Sequence, residues 1–190
     1  MVKKKIRRGW HFLNLKGNTG HGHLTPKPKG TEVFKGYPIM CDQGLHASPM
    51  ILDALDYAPG LLLRRVTLSG EFDNGSIPYM DDKFCATVRK EHWRVKFGPV
   101  LVRVAKRLLP KLDKEIFPLD YEDCNRSLQY LERASCGPKN KRSKTSNINQ
   151  LRFAKEIVYC LVDSDTVSRD VFEKLLQKEL VKQRRKGIDA

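Results

Sequence analysis

Cys41-Asp42-Gln43-Gly44-Leu45-His46-Ala47-Ser48-Pro49-Met50-Ile51-Leu52-Asp53-Ala54-Leu55-Asp56-Tyr57-Ala58-Pro59-Gly60 is the stretch from which the rest of the chain is read. Ser48 can cap a helix and Pro49 can take its first position, where a missing N–H costs nothing. Ile51, Leu52, Leu55 and Ala58 then fall on one face, and Pro59-Gly60 stops the helix. Upstream, Trp10 to Leu15 reads as a short apolar strand followed by a turn over Gly17 to His23. Pro26 and Pro28 make Leu24 to Gly30 an extended loop, and Val33 to Met40 reads as a broken hairpin around Lys35-Gly36. Downstream, Leu61 to Leu68 is apolar and β-capable. Its Arg64-Arg65 pair must place at least one guanidinium on an exposed face or in a pocket. Phe84 to Trp93 alternates in part and reads as a further strand. Together these predict an α+β layer in which one helix packs on a small mixed sheet.

The pattern changes near Phe97, after which helical spacing takes over. Val100, Leu101, Val104, Ala105, Leu108 and Leu109 form a stripe. Further helices are expected over 120–133, 149–162 and from about 166 to 185, the last capped by Asp165 or Ser168. The predicted organisation is a basic N-terminal arm (1–9), an α+β domain (10–96) and an all-helical, basic region (97–190). The polar, turn-rich stretch 135–147 interrupts that region as a mobile surface loop.

The 190 residues carry 36 Lys+Arg against 22 Asp+Glu, a formal charge of +14. A hydrophobic fraction of 40% excludes wholesale disorder, and 13 Gly with 10 Pro exclude a fibrous chain. No apolar run approaches the ~20 residues that span a bilayer. The charged start Met1 to Arg8 is followed by a polar stretch that supplies no signal-peptide core, so a soluble, cytoplasmic protein is expected. Five cysteines (Cys41, Cys85, Cys124, Cys136 and Cys160) are odd in number and lack a Cys-x-x-Cys pair. That pattern argues against a disulfide framework or a zinc knuckle.

The Cys-x-x-Gly-Leu-His-Ala-Ser segment at 41–48 and Tyr57-Ala58-Pro59-Gly60 resemble a domain family of unknown function widespread in bacteriophages and bacterial mobile DNA. Trp10-His11-Phe12, the Val-x-Leu-x-Gly pattern at 66–70 and Asp81-Asp82-Lys83 extend the resemblance over residues 10 to 95. It implies a phage or prophage accessory protein, placed in the host cytoplasm, and transfers no catalytic residue. A fold-level likeness to ADP-ribosyltransferases adds a second implication. There, a first-strand histidine and a turn before a helix hold the nicotinamide dinucleotide. His11 matches that histidine and His46 stands where the family has a stacking tyrosine. No residue here matches the glutamate that polarises the ribose.

Three basic clusters carry the leading functional expectation: Lys3, Lys4, Lys5, Arg7 and Arg8; Lys139, Lys141, Arg142 and Lys144; and Lys182, Arg184, Arg185 and Lys186. Neutralising phosphates releases condensed counterions, so such clusters suit RNA or DNA. Residues 1–95 carry 15 basic against 9 acidic side chains and residues 96–190 carry 21 against 13, so the excess is distributed. A solvated face is the plain alternative for any one cluster. Histidines His11, His21, His23, His46 and His92 could do acid–base work on a phosphodiester, and His21-Gly22-His23 could offer two metal ligands without a completing pair. Glu71, Asp73, Asp81 and Asp82 read as turn chemistry rather than a cation site. Trp10, Tyr37, Tyr57, Tyr79 and Trp93 are candidate base-stacking surfaces. The absence of a phosphate loop and of a nucleophile elbow argues against P-loop hydrolysis and serine esterase chemistry.

The sequence therefore predicts a phage-type accessory protein that binds nucleic acid, or a nucleic-acid-containing host complex, through its basic clusters. No cofactor, metal or membrane is called for. One alternative is a nucleotide- or NAD-binding, ADP-ribosyltransferase-like module with candidate site residues His11, His46, Arg64 and Arg65, the turn lying at a helix N-terminus. Another is an interaction module acting on an acidic host protein.

Overall fold

A computed structural model of the chain describes residues 5–19, 28–73, 82–112, 118–136, 147–162 and 167–185. The chain divides after Val95 into an N-terminal and a C-terminal unit.

The N-terminal unit is built on two long strands, β4 (Leu62–Phe72) and β5 (Phe84–Lys96). β1 (Arg7–Leu13) pairs antiparallel with β4, in a register that sets His11 opposite Arg64 and Trp10 opposite Arg65. The free edge of β5 takes two short strands in succession. β2 (Thr31–Val33) sets Glu32 opposite Arg89, and β3 (Leu45–Ala47) sets His46 opposite Cys85. The sheet is antiparallel, where a mixed one was expected. β4 and β5 follow each other in the chain, whereas β1, β2 and β3 reach their partners from far along it.

The sheet also turns back on itself. Just after β3, Ser48 and Trp10 exchange both backbone hydrogen bonds, Trp10 N to Ser48 O at 2.7 Å and Ser48 N to Trp10 O at 2.9 Å. Gly9 makes this approach possible, since a Cβ there would stand 2.8 Å from the Ser48 carbonyl oxygen. The segment read as a turn into the helix is thus partly a strand. Ser48 is spent on the strand pairing rather than on a cap. The helix α1 (Ile51–Asp56) starts after Met50, with no side-chain cap, and buries Ile51, Leu52, Ala54 and Leu55. The expected hairpin at 33–40 is also absent. β2 pairs with β5, and Ile39 bridges to Gln43 across a tight turn.

On β4, Leu62, Arg64, Val66, Leu68 and Phe72 share one buried face. Val66, Leu68 and Phe72 pack with Ala47 and Ala86 as an apolar cluster. Fully burying such a side chain contributes about 1.5–3 kcal/mol. Arg64, wholly buried on the same face, is the exception that needs a chemical explanation.

The C-terminal unit is helical, as the 3.6-residue spacing predicts: α2 (Phe97–Leu108), a 3₁₀ turn (Leu109–Lys111), α3 (Pro118–Cys136), α4 (Asn147–Val162) and α5 (Arg169–Arg185). Gly98 lets α2 approach α3, since a Cβ there would lie 2.4 Å from Ser135 Oγ. Arg103 Nε donates to Glu179 Oε1 at 2.6 Å, tying α2 to α5. The expected loop at 135–147 lies largely outside the described residues, as do Asp165 and the turn over 20–23.

Cys85, Cys124 and Cys160 are buried and Cys41 is exposed. Cys124 and Cys160 hydrogen-bond to each other between α3 and α4, and that bond, with burial, raises the Cys124 thiol far above the ordinary range. Burial pushes Cys85 up to about 11. Because Cys85, Cys124 and Cys160 are buried and Cys41 is exposed, a soluble alkylating agent applied to native protein is expected to label Cys41 well before these three. Peptide mapping at successive times checks this, and early labelling of Cys124 or Cys160 would contradict the packing.

Candidate functional site: a cleft over a buried ionic cluster

The N-terminal unit has an open cleft of about 860 Å³, within the size range of small-molecule sites. β1 contributes Trp10, His11 and Phe12 to its wall, β2 contributes Glu32, and β3 with its preceding turn contributes residues 41–47. Tyr57, just past α1, and Lys83, just before β5, complete it together with Arg89.

An ionic cluster adjoins this cleft and explains the buried Arg64. Glu32 takes Arg89 in a two-point clasp, Nε to Oε2 at 2.8 Å and Nη2 to Oε1 at 2.9 Å. The same Glu32 Oε2 accepts Arg64 Nη1 at 2.8 Å. Arg64 Nη1 also lies 3.5 Å from Glu91 Oε2, and Arg94 clasps Glu91 through two bonds of 2.7 Å. Arg89 Nη1 donates to the His46 carbonyl at 2.7 Å, fixing β3 against the cluster. Three guanidiniums thus meet two carboxylates, a formal excess of one positive charge in a poorly solvated place. Burial and the neighbouring Arg89 accordingly lower the Arg64 guanidinium to about 10. Burial also opposes ionisation of Glu32, but the hydrogen bonds and charges of Arg89 and Arg64 outweigh it and hold the carboxyl below its usual range.

His11 is defined by the same cluster. Arg64 Nε donates to His11 Nδ1 at 3.2 Å. A guanidinium has no acceptor, so Nδ1 carries the lone pair and the ring proton sits on Nε2. Burial, then the charges of Arg89, Arg64 and His46, keep the imidazole well below its ordinary range, hence neutral. His11 is therefore a fixed hydrogen-bond donor, not one half of an acid–base pair.

At the mouth, Tyr57 Oη donates to Asp82 Oδ2 at 2.6 Å, and Lys83 Nζ lies 3.6 Å from the Tyr57 ring centroid. The Trp10 indole N–H is buried and meets no acceptor among the described residues. Among those residues no group of His, Cys, Asp and Glu is arranged to hold a metal ion.

The structure thus brings His11, His46 and Arg64 to one place but separates Arg65, whose guanidinium stacks 4.4 Å over the Trp10 ring. Arg89, Glu32 and Glu91 were missed by the sequence reading. Alternating charge on a β-rich run was their only signal, and it looks the same on a solvated face. Asp73 accepts the Met40 N–H at 2.6 Å and Asp82 accepts the Tyr57 hydroxyl, so each carboxylate is engaged by a distant part of the N-terminal unit. Trp10 and Trp93 pack edge to face at 5.6 Å, while Tyr37 and Tyr57 are exposed.

The basic clusters fare differently. Arg7 and Arg8 belong to β1 rather than to an arm, because their backbones pair with Leu68 and Thr67. Arg7 stacks 4.5 Å over Phe84 and Lys5 lies 5.3 Å from the Phe72 centroid. Lys182 sits 3.8 Å from Glu179, Arg184 is exposed and Arg185 ends α5. Lys3, Lys4, Lys139, Lys141, Arg142, Lys144 and Lys186 lie outside the described residues, as do His21, His23, Tyr79 and Asp81. No helix among the described residues is long and apolar enough to cross a membrane.

Comparison with known proteins finds no matching family model, curated relative or solved structure.

Proposed function

We propose that the N-terminal unit binds a nucleotide-class ligand, a mononucleotide or a dinucleotide such as NAD, in the cleft beside His11 and His46. The observation that carries this reading is that two histidines 35 positions apart line one cleft, over a cluster with an excess positive charge. Tyr57, half-exposed beside Lys83, offers its ring to a base. Lys83 and the cluster's field favour phosphates, and the Nε2 proton of His11 and the indole N–H of Trp10 are donors for ligand oxygens.

Binding, rather than ADP-ribosyl transfer, is the function this geometry supports. Glu32 lines the cleft, yet both its oxygens are held by Arg89 and Arg64. A carboxylate so engaged and so acidic is a poor proton acceptor.

Thermal-shift titration with ADP-ribose, NAD and AMP tests the reading. Ligand at a hundred times its Kd stabilises the folded state by about 2.7 kcal/mol, so a rise in Tm of several degrees is expected for at least one of them. Tyr57→Ala, at an exposed position, is expected to reduce that rise without lowering the Tm of the free protein by more than a degree or two. Absence of any shift at millimolar ligand would remove the proposal.

A second reading, nucleic-acid contact by the C-terminal unit, is favoured by the 21 basic against 13 acidic side chains from residue 96 onward. A linear fall of log affinity with log salt is its signature.

A further inference from the structure

Cys124 on α3 and Cys160 on α4 share one layer of the helical core. Along α3, Cys124, Leu128 and Leu131 recur at three- and four-residue spacing and are buried, and along α4, Ala154, Ile157 and Cys160 do the same. Two contacts fix the antiparallel register of these helices. The Tyr130 and Phe153 rings stack with centroids 4.9 Å apart, and Ser127 Oγ donates to Glu156 Oε2 at 2.8 Å. One turn further along, the same register brings the two cysteines together, and the Cys124 S–H donates to the Cys160 sulfur. An alkyl side chain would fill this layer as well, but only paired thiols can become covalent. Cys160 also lies in the last turn of α4, which ends at Val162, where a helix opens most readily. The hydrogen bond from Cys124 holds the Cys160 thiol below its ordinary range, against burial and the charges of Asp120 and Glu156. Cys160 is therefore the nucleophile and Cys124 the proton-bearing partner. The same carboxylates disfavour an anionic oxidant such as glutathione disulfide. A neutral peroxide, smaller than any alkylating reagent, meets neither obstacle.

We propose that Cys124 and Cys160 are a peroxide-reactive pair that closes to a disulfide between α3 and α4. The Cys160 thiolate attacks one oxygen of hydrogen peroxide, the O–O bond breaks, and the departing hydroxide takes a proton to leave as water. The sulfur is thereby oxidised to a sulfenic acid and the peroxide is reduced. The Cys124 sulfur, giving up its proton, then displaces the sulfenic hydroxyl as a second water and forms the S–S bond. Two thiols and one hydrogen peroxide thus yield one disulfide and two waters. The sulfurs start within hydrogen-bond reach, so a small shift of the last turn of α4 brings them to bonding distance. The link closes the chain between residues 124 and 160, which removes conformations from the unfolded state and stabilises the helical unit.

Exposure of the folded full chain to hydrogen peroxide, a catalase quench and peptide mapping without reductant test it. One cross-link within each chain, Cys124 to Cys160, is expected. With it comes a rise of about 5 °C or more in the thermal transition followed by helical circular dichroism, reversed by dithiothreitol. In Cys124→Ser the hydroxyl can still donate to Cys160 but cannot form the disulfide, so dimedone is expected to trap a sulfenic acid on Cys160. Cys160→Ser is expected to give at least about tenfold less trapping on Cys124. Cross-links that join Cys41, Cys85 or Cys136 instead overturn the proposal. So does a pair that stays reduced when Cys41 is fully oxidised, or a cross-link that forms only in urea. The wild-type map decides the question even where a serine variant fails to fold.

Discussion

Glu32→Gln is expected to destabilise the N-terminal unit by about 3–5 kcal/mol, the cost of leaving buried charges without their partner. The substitution keeps the shape of the side chain, so no cavity contributes. It removes the negative charge that stands between Arg89 and Arg64, each 2.8 Å from the same carboxylate oxygen. The two guanidiniums then face each other with only Glu91, 3.5 Å from Arg64 and already clasped by Arg94, to offset them. Solvent cannot take over, because Arg64 is fully buried and the Arg89 side chain is 3% exposed. Adding Arg64→Met removes one of the opposed cations, so the double variant is expected to be more stable than Glu32→Gln alone. Urea midpoints at neutral pH measure both differences. A loss below 1 kcal/mol would mean that water reaches the cluster.

The same cluster fixes the response to acid. His11 and Glu32 both titrate below their ordinary values in the folded protein, so the unfolded chain binds more protons at intermediate pH. Stability therefore falls on acidification. The His11 contribution is complete above the unfolded imidazole value of about 6.5 and declines below it, and the Glu32 contribution declines below about 4.5. Glu32→Gln is expected to lose the lower limb and keep the upper one.

How much of this could be read from the chain depends on the range of the interaction. The helices over 97–108, 118–136, 147–162 and 169–185 are written in local periodicity, and the structure places them within a few residues of that reading. Strands β1, β4 and β5 carry enough apolar and β-branched residues to announce themselves. β3 does not, because three residues between Gly44 and Ser48 look like the approach to a helix. Only pairing with Cys85 and Trp10, dozens of residues away, makes them a strand. His11 and His46 were legible as candidates, and their shared cleft follows from that same pairing. The ionic cluster was not legible, since nothing local distinguishes Arg89 or Glu91 from the exposed Lys90 and His92 beside them. Cross-strand register buries one set and solvates the other.

Gly44→Ala tests the part of the sequence motif that the structure explains best. Gly44 has φ +116°, a region that side-chain-bearing residues rarely adopt, and holding one there costs of order 1–3 kcal/mol. A Cβ at this position would also lie 2.6 Å from Cys85 Sγ and 3.1 Å from Pro38 Cβ. Neither neighbour yields easily. Cys85 is buried and donates to the Gln43 carbonyl at 3.3 Å, and Pro38 is part of the turn that Ile39 closes with Gln43. Forcing a methyl into such packing adds about 1–3 kcal/mol, so a total of about 2–6 kcal/mol is expected, read as a lowered urea midpoint. The two components separate in a Cys85→Ala background, where the sulfur is gone and the backbone strain remains. There, adding Gly44→Ala is expected to cost about 1–3 kcal/mol, less than in wild type. Equal costs in the two backgrounds would place the whole effect in the backbone. A negligible cost in both would show that the turn relaxes to negative φ. Because β3 carries His46 into the cleft directly after this turn, ligand binding is expected to weaken in Gly44→Ala even where the protein remains folded, and titration of the stable fraction reads that loss.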